Sequence, residues 1–368
     1  MSSHLETLPR RLDTLTSLRW FAAFIVFLFH MRSFAPLPFI TPLFTVGNYG
    51  VTFFFILSGF VLTYADSGRQ MTGTFYWRRF SRIWPATFVA LLLALPVFYS
   101  FNPNPAQWWV NPVNVPVLLL SVPVIQGWWV DPQILFSGNP VAWSLTVEFF
   151  FYALFPLLIL LMNRLRMRGL LWLGVAVLTL AVIYQFGMWQ VPGLGLSNIP
   201  QPVVHLGEFV LGIALAQAVR LGYISRIPSW VSLSLTGVLM LAIGINTAYH
   251  RTGFVAQLFD RLSTPLIIAA FTFVIASVAA REIRHGASVL TWRPLVILGE
   301  WSFAFYLVHS TVIYFTRGIV GTLNAQWSNL LWYAGLLVGS LIVAAGLHLL
   351  IEKPIEKRMR AWWDRRKA

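Results

Sequence analysis

The sequence predicts an all-α, polytopic membrane bundle of about ten transmembrane helices with both termini in the cytoplasm. Three observations predict it. The chain is 58% hydrophobic with only 10% charged residues, and its mean hydropathy is +0.72, far from the soluble balance of about 25% charged. Ten apolar segments recur, over 18–36, 44–65, 83–100, 141–162, 169–188, 203–221, 229–247, 262–280, 294–316 and 329–351. Each is close to the roughly 20 residues that cross about 30 Å of hydrocarbon as a helix. The third observation is the placement of arginine and lysine. Arg10, Arg11, Arg69, Arg78, Arg79, Arg82, Arg164, Arg166, Arg168, Arg220, Arg226, Arg281, Arg284, Arg293 and the run from Lys353 to Lys367 fall on one side if both termini are cytoplasmic. Only Arg32, Arg251, Arg261 and Arg317 fall at the other edge, which is the asymmetry of the positive-inside rule.

A net charge of +14 raises nucleic acid as a partner, but the basic residues sit in short runs between apolar segments. They read as topology and ligand binding instead, with the lipid bilayer as the partner. Cysteine is absent, which removes disulfides, thiol nucleophiles and thiolate metal sites. No two histidines stand four apart, so a metal site is unsupported. Met1 to Ser17 is polar and no export-cleavage pattern follows it, so no cleavable signal peptide is expected. With no internal repeat and no low-complexity linker, residues 1–352 form one transmembrane domain and 353–368 a basic cytoplasmic tail whose Trp362 and Trp363 suit an amphipathic interfacial cap.

The first span, LRWFAAFIVFLFH, carries Arg19 and His30 eleven positions apart. On a helix that is nearly three turns, so the two share a face about 16 Å apart along the axis. With the span starting near Leu18, Arg19 marks the inner edge and His30 lies somewhat past the midplane. An ionisable group at that depth is a functional-site hypothesis, because burying it costs about 2.5–3.5 kcal/mol on insertion scales. His30 reads either as a general base on a hydroxyl or as an imidazole bonding a neighbouring helix. Arg19 alone reads as a side chain reaching lipid phosphates. In the second span, Gly47, Gly50 and Gly59 have no helix-start phosphate geometry and suit close helix contact, and Ser58 has no base in its own segment.

The run FYWRRFSRIWP places Arg78, Arg79 and Arg82 just before the third span. Arg78 and Arg82 are one turn apart with Arg79 beside them, either a guanidinium cluster for phosphate oxygens or topogenic charge. Between spans three and four, residues 101–140 are rich in proline, asparagine and tryptophan, with Trp108, Trp109, Trp128 and Trp129. Most of these tryptophans read as an aromatic belt at the lipid surface, and the sharper alternative is a lid on a sugar ring. Residues 113–125 are too short to span and suit an interfacial or re-entrant segment.

The fourth span opens NPVAWSLTVEFFFY, with Ser144 and Glu148 on one face. Glu148 must point into the bundle, either to orient a histidine or receive its proton, or to bond another helix. Glu208 follows the same logic with weaker support, and His205 beside it reads as structural. The ninth span, LGEWSFAFYLVHS, puts Ser302, Tyr306 and His309 on one face, with Glu300 opposite His309. That stripe is a packing seam or a pore lining.

Taken together and in order, these pieces resemble the acyltransferase-3 family of bacterial integral-membrane O-acyltransferases. The resemblance rests on Arg19 and His30, WRRFSRIWP, WSLTVEFFFY with Glu148, SFAFYLVH with His309, and the EKP of Glu352 to Pro354. It implies ten core helices in the bacterial cytoplasmic membrane and transfer of an acyl group, usually acetyl from cytosolic acetyl-CoA, to a hydroxyl. Implied acceptors are extracytoplasmic glycans or glycolipids and, in some members, macrolides or other natural products. By resemblance His30 is the catalytic residue with Arg19 its motif partner, Arg78, Arg79 and Arg82 bind the donor, and Glu148 is an essential site position. Many relatives add a periplasmic domain with a serine nucleophile. The sequence ends soon after the tenth apolar segment, a departure from that pattern under which it is expected to finish transfer in the membrane core or to hand the acyl group on. The competing reading is a proton-coupled transporter with His30, Glu148, Glu208 and His309 as its relay, against which stands the missing repeat architecture.

Overall fold

The structure is a computed structural model that describes residues 11–66, 71–249 and 252–367. Arg10, Arg69 and Arg251 lie outside the described residues. Among the described residues, ten helices are long and apolar enough to cross a membrane. We label the α-helical parts of these spans α1 (Asp13–Met31), α2 (Gly50–Ala65), α3 (Thr72–Phe98), α4 (Trp143–Met162), α5 (Met167–Gln190), α6 (Leu206–Arg220), α7 (Ser229–Ala248), α8 (Phe254–His285), α9 (Arg293–Val320) and α10 (Leu330–Gly346); flanking helical turns extend the second, fourth, sixth and tenth spans to Thr41–Ala65, Pro140–Met162, Gln201–Arg220 and Trp327–Lys367. A π-helical turn, Leu347–Glu352, joins α10 to α11 (Lys353–Lys367). The protein is thus an all-α, multi-pass membrane bundle.

α1 begins earlier than the apolar run suggests. The Glu282 carboxylate, from the end of α8, accepts the backbone N–H groups of Asp13 at 2.9 Å and Thr14 at 3.0 Å. Orphan donors at a helix start need such partners. Arg11 bridges Asp13 and Glu300 at 2.8 Å each, joining the starts of α1 and α9. The helix then stops at Met31 instead of running to residue 36, ahead of Pro36 and Pro38. His30 therefore stands in the last turn of α1, farther from the helix start than the expected place somewhat past the midplane.

α1 pairs along its length with α9, and α2 with α6. Glycine permits the second pairing at two reciprocal points: a Cβ on Gly212 would meet Ile56 O at 1.9 Å, and one on Gly59 would meet Phe209 O at 2.1 Å. Gly47 and Gly50 make the same close approach to α1. α5 and α7 sit at the periphery with most of their surface exposed. The arginines of WRRFSRIWP lie inside α3, because the helix starts at Thr72 and continues through Pro85 and Pro96.

Residues 99–140 fold into the bundle. Tyr99–Ser100 and Asn111–Pro112 form a short parallel pair. Trp84 Nε1 donates to Val122 O at 3.0 Å, and Asn139 Nδ2 to Leu307 O at 2.8 Å. Trp109 is a core residue and not a belt residue, packed with Phe98 and Tyr314, whereas Trp108 stays exposed. Residues 353–367 continue the tenth span as one helix and pack on α3, with Trp77 stacked on Trp363 at 5.2 Å and Trp77 Nε1 donating to Met359 O at 2.9 Å.

Candidate functional site

A cavity of about 500 Å³ opens at the end of the bundle where α1, α3, α9 and α11 carry their basic residues. That volume is within the range of about 300–1,000 Å³ typical of small-molecule sites. α1 contributes Arg19 and α3 contributes Arg79 and Arg82, and with Arg11, which is paired to Asp13 and Glu300, four guanidinium groups line one cavity. Arg79 Nε is buried with no hydrogen-bond partner. A buried N–H left unpaired is costly, so an unpaired donor on a side chain that lines a cavity is suited to an incoming acceptor oxygen.

The opposite wall is α4. Glu148 accepts from the Tyr152 hydroxyl, one turn on, and from Ser58 Oγ of α2 at 3.4 Å. Nearer the far end, the Ser144 and Tyr306 hydroxyls are 2.8 Å apart, both within reach of Val141 O. The π-helical turn adds a carboxylate–imidazole pair: His348 Nδ1 lies 2.9 Å from Glu352 Oε2, and both residues line the cavity. Such turns concentrate at functional sites.

The cavity stops at Tyr306, which packs with Val26 and Val141. Immediately behind it the ring of His309 stands 5.8 Å from Tyr306 and 5.1 Å from His30. His309 Nδ1 is 3.1 Å from Phe305 O, a contact made by an N–H donor, which leaves Nε2 as an acceptor; that atom is buried without a partner. Beyond His30 comes Tyr314, at 6.4 Å ring to ring, and then Arg317, whose guanidinium lies 4.3 Å from the Trp109 ring and 5.3 Å from Trp108. Arg317 is 6% exposed, donates to Thr322 Oγ1 at 3.0 Å, and keeps Nε and Nη1 unpaired. A line of polar and aromatic groups thus connects the basic cavity to the other end of the bundle.

Residues 12–349 match the profile of a family described as "Acyltransferase domain". The chain belongs to the acyltransferase-3 family. Among similar proteins, Acyltransferase MdmB of Streptomyces mycarofaciens is 34% identical, over 94% of this chain and 91% of that protein. O-acetyltransferase OatA of Staphylococcus aureus (strain NCTC 8325 / PS 47) is 25% identical, over 95% of this chain and 58% of its own length. Peptidoglycan O-acetyltransferase OatA of Listeria monocytogenes is 23% identical, over 84% and 51%. The chain spans about half the length of the two OatA proteins. No solved structure matches it.

Within this membrane acyltransferase, the cavity brings together Arg19, Arg79, Arg82, Ser144, Glu148 and Tyr306 from the residues singled out in the sequence. Arg19 faces the cavity and not the lipid edge. Arg78 does not join the cluster: it turns to Asp364 of α11 at 3.8 Å. At 100° per residue Arg79 and Arg82 lie about 60° apart, and Arg78 about 40° farther round, on the side where α11 packs. His30 and His309 meet each other but do not line the cavity. Nor do the four groups of the transporter relay form one line, since Glu208 is 3.1 Å from His205 and 3.4 Å from Thr52, away from the cavity.

Sequence reasoning missed Ser58, Tyr152, His348 and Glu352 as cavity residues. Tyr152 and the His348–Glu352 pair carry a usable signal, because each stands four residues from its partner on one helix. Ser58 carries none, since its partner Glu148 is 90 positions away.

Proposed function

We propose that this acyltransferase takes an acyl group, most simply acetyl, from acyl-CoA at its basic face and transfers it to a hydroxyl presented from the opposite face. We assign the basic face, with both termini, to the cytoplasm, and the protein to the bacterial inner membrane. The observation that carries the reading is the cavity itself. Arg19, Arg79 and Arg82 in its lining suit the phosphates of the donor, while the cavity stops at Tyr306, whose ring stands next to that of His309 and, through it, His30.

In this reading Arg19, Arg79 and Arg82 bind the anionic part of the donor, and the pantetheine arm runs past Glu148 toward Ser144 and Tyr306. The Tyr306 side chain must shift for the thioester to meet His30. His30 then accepts the proton of the acceptor hydroxyl as its oxygen attacks the acyl carbon and the C–S bond breaks, the electron pair leaving on sulfur. A transient acyl-imidazole on His30 is the alternative route, and it alone gives ping-pong kinetics. The names of the OatA relatives support a glycan or glycoconjugate acceptor; a natural-product hydroxyl is the other acceptor class.

The test is incubation of the purified protein in nanodiscs with labelled acetyl-CoA and membrane-extracted glycans. The expected result is label ester-linked to a glycan, together with thermal stabilisation by CoA. No stabilisation and no transfer to any extract would overturn the donor assignment. Label on a small natural product would overturn only the glycan acceptor.

A further inference from the structure

A second cavity, of about 330 Å³, lies at the same basic end of the bundle between the start of α7 and the end of α8. Arg226 and Trp230 line it from one side, and Arg281, Arg284 and His285 from the other. None of these residues borders the acyl-transfer cavity.

Among the described residues the charge in this cavity has no counter-ion. Among the described residues no carboxylate pairs with Arg226, Arg281 or Arg284; Arg281 makes only a 3.4 Å contact to Ala287 O. The acid next to it in sequence, Glu282, is spent on the backbone of Asp13 and Thr14 at the start of α1. The positive-inside rule asks only that arginines stand on this side. It does not ask that three converge on one concavity without an acid, where they repel each other until an anion enters. The start of α7 adds to the same field, because Pro228 supplies no side-chain cap for its first N–H groups.

Shape narrows the anion to one source. Above the cavity, α7 presents Trp230, Leu233, Val238 and Leu241 outward, with Trp230 69% and Val238 65% exposed. These positions fall on one broad face of the helix. An anion pocket that runs directly into a lipid-facing apolar strip fits a molecule with a phosphate head and hydrocarbon tails. We propose that this cavity is a binding site for an anionic phospholipid, its phosphodiester held by Arg226, Arg281 and Arg284 and its acyl chains laid along α7.

The experiment uses the full chain. Native mass spectrometry counts retained phosphatidylglycerol against phosphatidylcholine, and thermal unfolding is compared in phosphatidylcholine nanodiscs with and without phosphatidylglycerol. The wild type retains phosphatidylglycerol selectively and unfolds a few degrees higher in its presence. Near-surface basic side chains contribute about 1 kcal/mol each toward anionic lipid, so Arg226→Gln, Arg281→Gln and Arg284→Gln together weaken retention on the order of 100-fold. The single Arg284→Gln change, at an exposed side chain, weakens it about fivefold and keeps the test open if the triple variant misfolds. CoA-induced stabilisation stays unchanged in both. Equal retention by wild type and variants overturns the site. Protection by inorganic phosphate in phosphatidylcholine nanodiscs, equal to that of phosphatidylglycerol, overturns the lipid as its occupant.

Discussion

The imidazole rings of His30 and His309 stand 5.1 Å apart, centroid to centroid, across the interface of α1 and α9. Phe305 stacks on the His309 ring at 5.7 Å and meets Trp20 and Phe27 of α1 at 5.0 and 5.9 Å, so the pair sits on a rigid aromatic seam. Because neither histidine lines the basic cavity, the proposed donor binding and the proposed chemistry should be separable by mutation. His30→Ala should lower transfer by about 10²–10⁴-fold, the usual contribution of a general base. CoA should stabilise that variant as it does the wild type. Transfer that persists in His30→Ala would remove His30 from the chemistry.

Arg79 and Arg78 are neighbours in sequence with opposite surroundings. A hydrogen bond to a charged group contributes about 1.5–3 kcal/mol. Arg79→Gln should therefore raise the dissociation constant for CoA about 10- to 150-fold. Arg78→Gln, whose side chain meets only Asp364 at 3.8 Å, should leave it within about twofold, since exposed ion pairs contribute about 0–1 kcal/mol. Calorimetric titration of both variants against CoA checks the contrast.

Arg317 is separated from the basic cavity by Tyr306, His309, His30 and Tyr314. Arg317→Gln should leave CoA binding untouched and lower the rate of transfer to the acceptor about tenfold, as loss of one charge-assisted hydrogen bond of about 1.5 kcal/mol would. Steady-state kinetics with each substrate varied in turn gives the answer. A changed KM for the donor would place Arg317 elsewhere in the reaction.

The α2–α6 crossing makes a stability prediction. Gly212→Ala drives a methyl into Ile56 O, and overpacking of this kind costs about 1–3 kcal/mol. Gly237 of α7 has open space around its Cβ position, so Gly237→Ala should be neutral or stabilising by up to about 1 kcal/mol through helix propensity. Thermal unfolding of both in one lipid composition tests the pair.

Much of the architecture is legible along the chain. Ten apolar lengths and the helical spacing of Ser144 with Glu148 are local properties, and each corresponds to something in the bundle. The errors come where a distant segment intervenes. α1 starts at Asp13 because Glu282, 269 positions away, caps it, and that shift lengthens the stretch between the helix start and His30. Arg78 leaves its cluster because α11 packs against α3 and offers Asp364. Trp109 leaves the lipid belt because residues 99–140 tuck under Tyr314.

By itself the sequence determined the spans, their apolar character and which polar side chains share a face, because a helix relates near neighbours by a fixed rotation. Only the tertiary structure decided which of those faces meet. It set Arg19 of α1 against Arg79 and Arg82 of α3, Glu148 of α4 against Ser58 of α2, and His30 of α1 beside His309 of α9. The reason is that helix-to-helix pairing depends on side-chain packing at long separation, such as the glycine contacts of α2 with α6, and no spacing rule along one segment encodes it.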